Sequence, residues 1–408
     1  MPWESELSIS LERIRLAAVA GAGVVRRTPT LSSRTLSELA GTTVVLKAEN
    51  LQRTGSFKLR GALAKIGSLQ DVPGVVTASA GNHAQAVAYA ARTRGLRCEV
   101  FMPRGASISK LEAATALGAM VRLVGDTVDE SLAAARERAA SCDLVFVHPF
   151  DDPEVIAGQG TLGLELLEQV PDLVRVLVPL GGGGLLSGVA IAIKSQRPEV
   201  EVIGVQVDSC APFPGSVRAG SPVAVPSART IADGIAVKRP GALTLALITR
   251  WVDDVVVVPE DGVAEAMVFL LERAKLVVEG AGAVGVAALL EAALPAPAAG
   301  VTAVILSGGN VDAGLLAHVA RRHETQAGRR LVLLARLPDR PGALAELLAL
   351  LAGRGANLLD VQHIREGVDL HVRESAVQLV LETRSAPHAD EVTREVRAAG
   401  YEVPRVLP

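Results

Sequence analysis

Short apolar runs bounded by turn residues recur along this 408-residue chain, with Ala-rich stretches of helical length between them. No other feature limits the fold so strongly. A strand, a helix and a second strand close as a right-handed crossover, so the alternation predicts parallel sheets with helices on their faces. A first series runs through Thr43 to Glu49, Gly74 to Thr77, Cys98 to Met102, Met120 to Val124 and Leu144 to Val147. A second runs through Arg175 to Pro179, Glu201 to Val207, Val255 to Val258 and Val301 to Leu306. Helices lie between them, such as Ala84 to Thr93, Ser109 to Leu117 and Asp261 to Val277, and Ser8 to Ala20 reads as a helix capped by Ser10 or Ser8. Aromatics are 2% against 49% hydrophobic residues, so the core must be built from Ala, Val and Leu, which suits this layering. We expect two α/β lobes, a large one from 1–51 and 153–322 and a small one from 52–152.

The pattern changes after 323–330, a polar, Gly-containing stretch that reads as a linker. Strand Leu331 to Leu337, helix Pro341 to Gly353, strands Asn357 to Arg365 and Ala376 to Glu382, helix Ala389 to Ala399 and strand Tyr401 to Val406 follow. That order, βαββαβ, predicts a separate ferredoxin-like domain over 331–408.

A net charge of -3 gives no argument for nucleic acid or an anionic membrane as partner. No run of about twenty apolar residues is present, so no membrane span is expected. The acidic start, Met1 to Glu6, lacks the basic head of a signal peptide. Cys98, Cys142 and Cys210 are odd in number and far apart, which fits a reducing cytoplasm.

Several stretches carry chemistry. Thr54-Gly55-Ser56-Phe57-Lys58-Leu59-Arg60-Gly61 sets an apolar ring beside a lysine, between a strand and a helix expected from Gly61 to about Ser68. A partly desolvated lysine amine becomes a good nucleophile, although the stretch alone fits a surface lysine equally well. Ser79-Ala80-Gly81-Asn82-His83 follows a strand and opens a helix, where free N–H groups suit a carboxylate; an ordinary turn with an Asn cap reads the same way. Gly181-Gly182-Gly183-Gly184, with Leu185, follows a strand and precedes a helix. Glycines there let backbone N–H groups converge on a phosphate. The loop is Gly182-x-Gly184-x-x-x-Gly188, so a dinucleotide fingerprint is weak, and no Gly-Lys-[Ser/Thr] follows. Ser307-Gly308-Gly309-Asn310 could present a hydroxyl at a sheet's carboxyl edge, and Glu279-Gly280-Ala281-Gly282 places one carboxylate at a helix junction. No metal site is expected.

Taken in order, Thr-Gly-Ser-Phe-Lys-Leu-Arg-Gly-Ala, Ser-Ala-Gly-Asn-His-Ala-Gln, His-Pro-Phe-Asp-Asp (148–152), Gly-Gln-Gly-Thr around Gln159 to Thr161, the four-glycine loop, Glu-Gly-Ala-Gly and Ser-Gly-Gly-Asn resemble the fold-type-II pyridoxal-phosphate enzymes, and among them the threonine dehydratases, or threonine ammonia-lyases. The resemblance spans about 10–322. Beyond it, Asp339-Arg340-Pro341-Gly342-Ala343-Leu344 resembles the effector turn of an ACT regulatory domain, to which Asn357 would also belong.

The resemblance implies roles. Pyridoxal 5'-phosphate would be held covalently by Lys58, with Phe57 beside its ring, Asn82 on its ring hydroxyl, Gly181 to Leu185 around its phosphate, Ser307 facing its ring nitrogen and Glu279 near its edge. Ser79 to His83 would grip the substrate carboxylate. A serine hydroxyl leaves the ring a weaker electron sink than a carboxylic acid would, which favours prompt loss of a β-substituent. Lys58 would remove the α-proton, and threonine would give 2-oxobutanoate and ammonia, serine pyruvate. Serine racemases, which the chain also resembles, carry a serine where this chain has Ala80, so elimination is expected over racemisation. They bind a divalent metal with acids where this chain has Gln206, Cys210 and Pro212, with Asp208 the one acid nearby. Isoleucine or valine would act at the ACT domain, and a homodimer or homotetramer is expected. Other readings are a hydroxyaspartate ammonia-lyase, a nicotinamide-dependent dehydrogenase built on the glycine loop, and a silent amino-acid sensor.

Overall fold

The computed structural model describes residues 9–366, 370–403 and 405–407. Ser8 and the acidic start lie outside them. The chain divides into two units, 1–312 and 313–408.

In the first unit the strands are β1 (Thr30–Ser32), β2 (Thr43–Ala48), β3 (Gly74–Ala78), β4 (Arg97–Met102), β5 (Met120–Leu123), β6 (Val145–Phe146), β7 (Leu173–Pro179), β8 (Glu201–Val207), β9 (Asp254–Val258) and β10 (Val301–Leu306). They form a six-stranded sheet, β1-β2-β10-β7-β8-β9, and a four-stranded sheet, β5-β4-β3-β6. Every pair is parallel except β1 with β2. The runs foreseen as strands alternate with helices, so each crossover covers a sheet face, and the interior is Val, Leu, Ile and Ala. The short antiparallel β1 and the helix Arg34–Ala40 carry no apolar run long enough to be foreseen.

The register of β10 on β2 ends at Leu306 opposite Ala48, which places Ser307 just beyond the carboxyl edge. There Ser56 pairs with Gly308 in an isolated bridge, tying the lysine turn to the turn after β10. The next helix is Lys58–Gly67, so Lys58 is its first residue, and Gly61 lies inside it rather than at its start. A glycine inside a helix is unfavourable by itself. Here packing decides: a β-carbon at Gly61 would lie 2.7 Å from the Val155 carbonyl oxygen on the helix Pro153–Gln169. On that helix, one at Gly158 would lie 2.6 Å from the Gly61 Cα. The same helix meets the helix Gly184–Lys194 at Gly160, whose nitrogen would lie 2.6 Å from a β-carbon at Gly188.

The helix expected over Asp261 to Val277 is shorter. It runs Glu260–Phe269, widens into a π turn at Leu270–Ala274, and stops at Lys275 in the left-handed region at φ 60°. The turn frees the chain to enter the site as extended backbone before Glu279.

The second unit begins with the helix Ala313–Gln326. The stretch 323–330 holds the end of that helix, a turn with Gly328 at φ 66° and the first residue of the next strand, and the helix runs across position 322. Strand β11 (Arg330–Pro338), helix Ala343–Gly353, β12 (Asn357–Ile364), β13 (Glu374–Glu382), helix Ala386–Ala398 and β14 (Arg405–Leu407) follow. The antiparallel sheet, β12-β13-β11-β14, has the ferredoxin-like order. Its last strand starts later than Tyr401, because the helix before it runs to Ala398 and its Gly400 turn intervenes.

Candidate active site

Lys58 projects from the first turn of its helix, and its amine donates to the Pro149 carbonyl at 2.8 Å. The amine stands 5.3 Å from the Phe57 ring centre. Burial pulls its pKa down to about 8, against the opposing attraction of Glu279. No carboxylate is hydrogen-bonded to it among the described residues, so its neutral fraction near neutrality exceeds that of a solvated lysine.

Phe150, next in the chain after Pro149, closes on the glycine loop. Its ring fills the space a β-carbon at Gly182 would need, and its carbonyl oxygen would lie 2.8 Å from one at Gly184. Gly183 has φ 97°, a left-handed conformation few other residues adopt, and a β-carbon there would lie 2.8 Å from Thr244 Cβ. At Gly181 the neighbour is Ile235, whose Cα would be at 2.8 Å. All four glycines and Leu185 are buried, and the loop runs into the N-terminus of the helix Gly184–Lys194. The amine and the glycine nest therefore meet on one dipeptide, Pro149–Phe150. This dipeptide belongs to His-Pro-Phe-Asp-Asp, for which sequence reading assigned no role. The motif is rigid: His148 Nδ1 accepts from the N–H groups of Phe150 and Asp151, Asp151 accepts from Thr244 N at 3.0 Å, and Asp152 caps the helix Pro153–Gln169.

Opposite lies a chain of amides and one acid. Asn82 opens the helix Asn82–Thr93; its Nδ2 donates to Glu279 Oε1 at 2.7 Å, and its Oδ1 accepts from Asn310 at 2.6 Å. Asn310 also donates to the Thr54 carbonyl at 2.8 Å. Gly55, at φ 72°, leaves room for the Asn310 side chain. Burial, then the nearby Asp233, pushes the Glu279 carboxyl up to about 7. Ser307 is buried, and its hydroxyl has no hydrogen-bond partner among the described residues. Its carbonyl accepts from Phe57 N at 3.0 Å. Asn310 carries no local signature of this role; its two partners, Thr54 and Asn82, lie 256 and 228 positions away in the chain.

In the Ser79–His83 loop, Ser79 Oγ accepts from Gly81 N at 3.1 Å, and Ala80 carries no polar side chain. The first helical turn leaves its leading N–H groups unbonded within the helix. His83 is buried, with Nε2 3.1 Å from the Val147 carbonyl. Burial, and next the charge on Lys58, hold its pKa down to about 3, so it is neutral and Nε2 carries the proton. His83 Nδ1 is buried with no partner among the described residues.

Beneath the site lies a cluster that sequence reading missed. Arg60 donates to both oxygens of Glu49, at 2.8 Å each, to both oxygens of Glu165, at 2.7 and 3.0 Å, and to Thr161. Lys47 donates to Glu165 at 2.7 Å and to the Thr28 carbonyl at 2.8 Å. Burial would lower the Arg60 pKa, but Glu49 and Glu165 outweigh it and raise it.

Gln206 is satisfied within the chain: its amide donates to the Leu180 carbonyl at 3.1 Å and accepts from Phe213 N at 3.1 Å. In the second unit, Asp339 pairs with Arg365 at 3.0 Å, Arg340 with Glu346 at 2.7 Å, and Asn357 donates to Glu382 at 3.0 Å. Gly342, at φ 91°, precedes the helix that Ala343 starts, with Pro341 exposed and Leu344 half-buried.

The model of the pyridoxal-phosphate dependent enzymes matches residues 22–308, and the ACT domain matches 331–398. The chain is 47% identical to an L-threonine ammonia-lyase of Thermotoga maritima, over 97% of this chain and 99% of that one. It is 46% identical to an L-threonine ammonia-lyase of Geobacter sulfurreducens, over 92% and 94%. Among solved structures it resembles a threonine deaminase from T.th., with TM-score 0.70 and 42% identity over 74% of this chain and 99% of that one. It also resembles maize serine racemase, with TM-score 0.73 and 36% identity over 78% and 98%.

Proposed function

Since the chain belongs to the pyridoxal-phosphate dependent enzymes and carries a C-terminal ACT domain, we propose that it is a threonine ammonia-lyase regulated by an amino acid. One observation carries the reading: the lysine amine and the glycine nest meet on Pro149–Phe150, within reach of a single small cofactor. The residues fit pyridoxal phosphate. The nest offers backbone N–H groups where no side chain can stand, Lys58 offers an amine with a lowered pKa, and Ser307, a buried residue just past the sheet's edge, offers a hydroxyl. Lys58 and Phe57, Asn82, Gly181 to Leu185, Glu279 and Ser307 would hold the group. Bound there, it supplies an electron sink that acidifies the α-C–H of an amino acid.

The remaining work falls to the chain. First-turn N–H groups of the Ser79–His83 loop orient the substrate carboxylate. Neutral His83 adds no competing charge beside them. Lys58 Nζ takes the α-proton. Asn82 and Asn310 hold Glu279 at the edge of the site, where it can keep or release a proton near neutrality. Loss of the β-hydroxyl and hydrolysis then give 2-oxobutanoate and ammonia from threonine, or pyruvate and ammonia from serine. Racemisation needs a proton donor on the opposite face, and position 80 is alanine. Elimination is therefore the dominant outcome.

The same reading places the protein in the cytoplasm, supported by three free cysteines, and as a homodimer or homotetramer without nucleic-acid or membrane partners. No helix among the described residues is long and apolar enough to cross a membrane. Isoleucine or valine is the expected effector, at Asp339 to Leu344 and Asn357. A steady-state assay with threonine, serine and 3-hydroxyaspartate, with and without isoleucine and valine, tests the whole reading. Release of 2-oxo acid from threonine above the other two substrates is expected. A purified protein that stays colourless with added pyridoxal phosphate overturns it.

A further inference from the structure

The helix Ile108–Ala116 is lightly held. Among its residues only Ala114 is buried, and Ile108 is 75% exposed. Two polar side chains on it nevertheless reach the other sheet's layer. Lys110 Nζ donates to Asp233 at 2.6 Å, and Ser109 Oγ donates to Asp312 at 2.8 Å. Asp233 sits on a segment that is firmly fixed. Glu260 accepts from Ile231 N at 2.5 Å, from Thr230 Oγ1 at 2.8 Å and from Ser209 Oγ at 2.6 Å, and a β-carbon at Gly280 would lie 2.6 Å from the Ile231 carbonyl oxygen. Gly234, the next residue, lies against Glu279: a β-carbon on it would be 3.5 Å from Glu279 Oε1.

The geometry points to Lys110 and Asp233 as a positioning pair that draws the helix Ile108–Ala116 onto the fixed segment beside Glu279, so that the approach of this helix and the charge at Glu279 are coupled. The groups acting on Glu279 are Lys58 from one helix, the Asn82 amide from a second, Lys110 from a third, and Asp233; Asp312 faces Lys110. Burial and then Asp233 favour the protonated acid, and Lys110 favours the carboxylate. While the pair is made, the two influences oppose each other. When the helix moves off, Lys110 no longer offsets Asp233 and Glu279 holds its proton more tightly.

The inference rests on the ammonia-lyase reading for its assay, and wild-type threonine turnover separates the two: an inactive wild type defeats that reading, not the pair. The test compares Lys110→Gln, Asp233→Asn and the double variant as holoenzymes. Each single change should raise KM for threonine about two- to fivefold, as expected for an exposed ion pair, with kcat changed less. Each should speed hydrogen exchange over 108–116. The pH midpoint of the bound-cofactor absorbance should fall in Asp233→Asn and rise in Lys110→Gln, with the double variant between them. Breaking a purely structural tie would not move the midpoint in opposite directions. Midpoints that move together or stay put, or exchange over 108–116 unchanged from wild type, overturn the proposal.

Discussion

Lys58 and Arg60 share the first turn of one helix, and each carries a cation off the surface. Arg60 meets two carboxylates and a hydroxyl, and every favourable contact reinforces its charge. Lys58 meets one carbonyl and an aromatic ring, and burial dominates. The contrast shows that depth alone does not set the chemistry of a buried base. The partners do: a paired cation becomes a fixed anchor, whereas an unpaired one becomes reactive.

The comparison can be broken most sharply at Lys58. Lys58→Ala should lower 2-oxo acid release from threonine by about a thousandfold or more, while the fold survives. The folded pKa of Lys58 lies below its ordinary value of 10.5, so the native state binds this proton less well than the unfolded chain. The resulting loss of stability is complete below about 8 and absent above 10.5, so Lys58→Met should raise the melting temperature of the apoprotein at pH 7 and not at pH 11. Equal melting temperatures at both pH values would refute the desolvation account.

Arg60→Met should do the reverse. It strands the buried Glu49 and leaves Glu165 with Lys47 alone, at a loss of about 3–5 kcal/mol in denaturant unfolding. A loss under about 1 kcal/mol would mean that the cluster is not the anchor. Gly61→Ala tests the contact that holds both residues in place; overpacking there should lose about 1–3 kcal/mol. A further effect, confined to acid pH, concerns His83. Its folded pKa of about 3 lies below the ordinary 6.5, so its contribution is full above 6.5 and lost as pH falls towards 3. His83→Gln should flatten the acid side of the apoprotein's stability curve, and an unchanged slope would assign that loss to other groups.

Much of this was legible in sequence. Apolar runs such as Val301 to Leu306 marked the parallel strands, and a turn placed directly after one fixed Ser307 at the sheet's edge. The four glycines were informative because a strand and a helix left them no freedom to be a linker. What escaped depends on distant partners. Arg60 looks like any surface arginine until Glu49 and Glu165 fold around it, and Asn82 with Glu279 spans 197 positions without a local signature. A helix read from Gly61 starts a turn late, and the value of this glycine lies in a neighbour's approach.

That approach recurs. Gly158 and Gly160 sit on one helix, the first against the lysine's helix and the second against the helix that follows the nest. Main chain approaches main chain on both sides. The span between reactive nitrogen and anion cradle is thus gauged by a common spine, and drift in the surrounding aliphatic core can proceed without altering it.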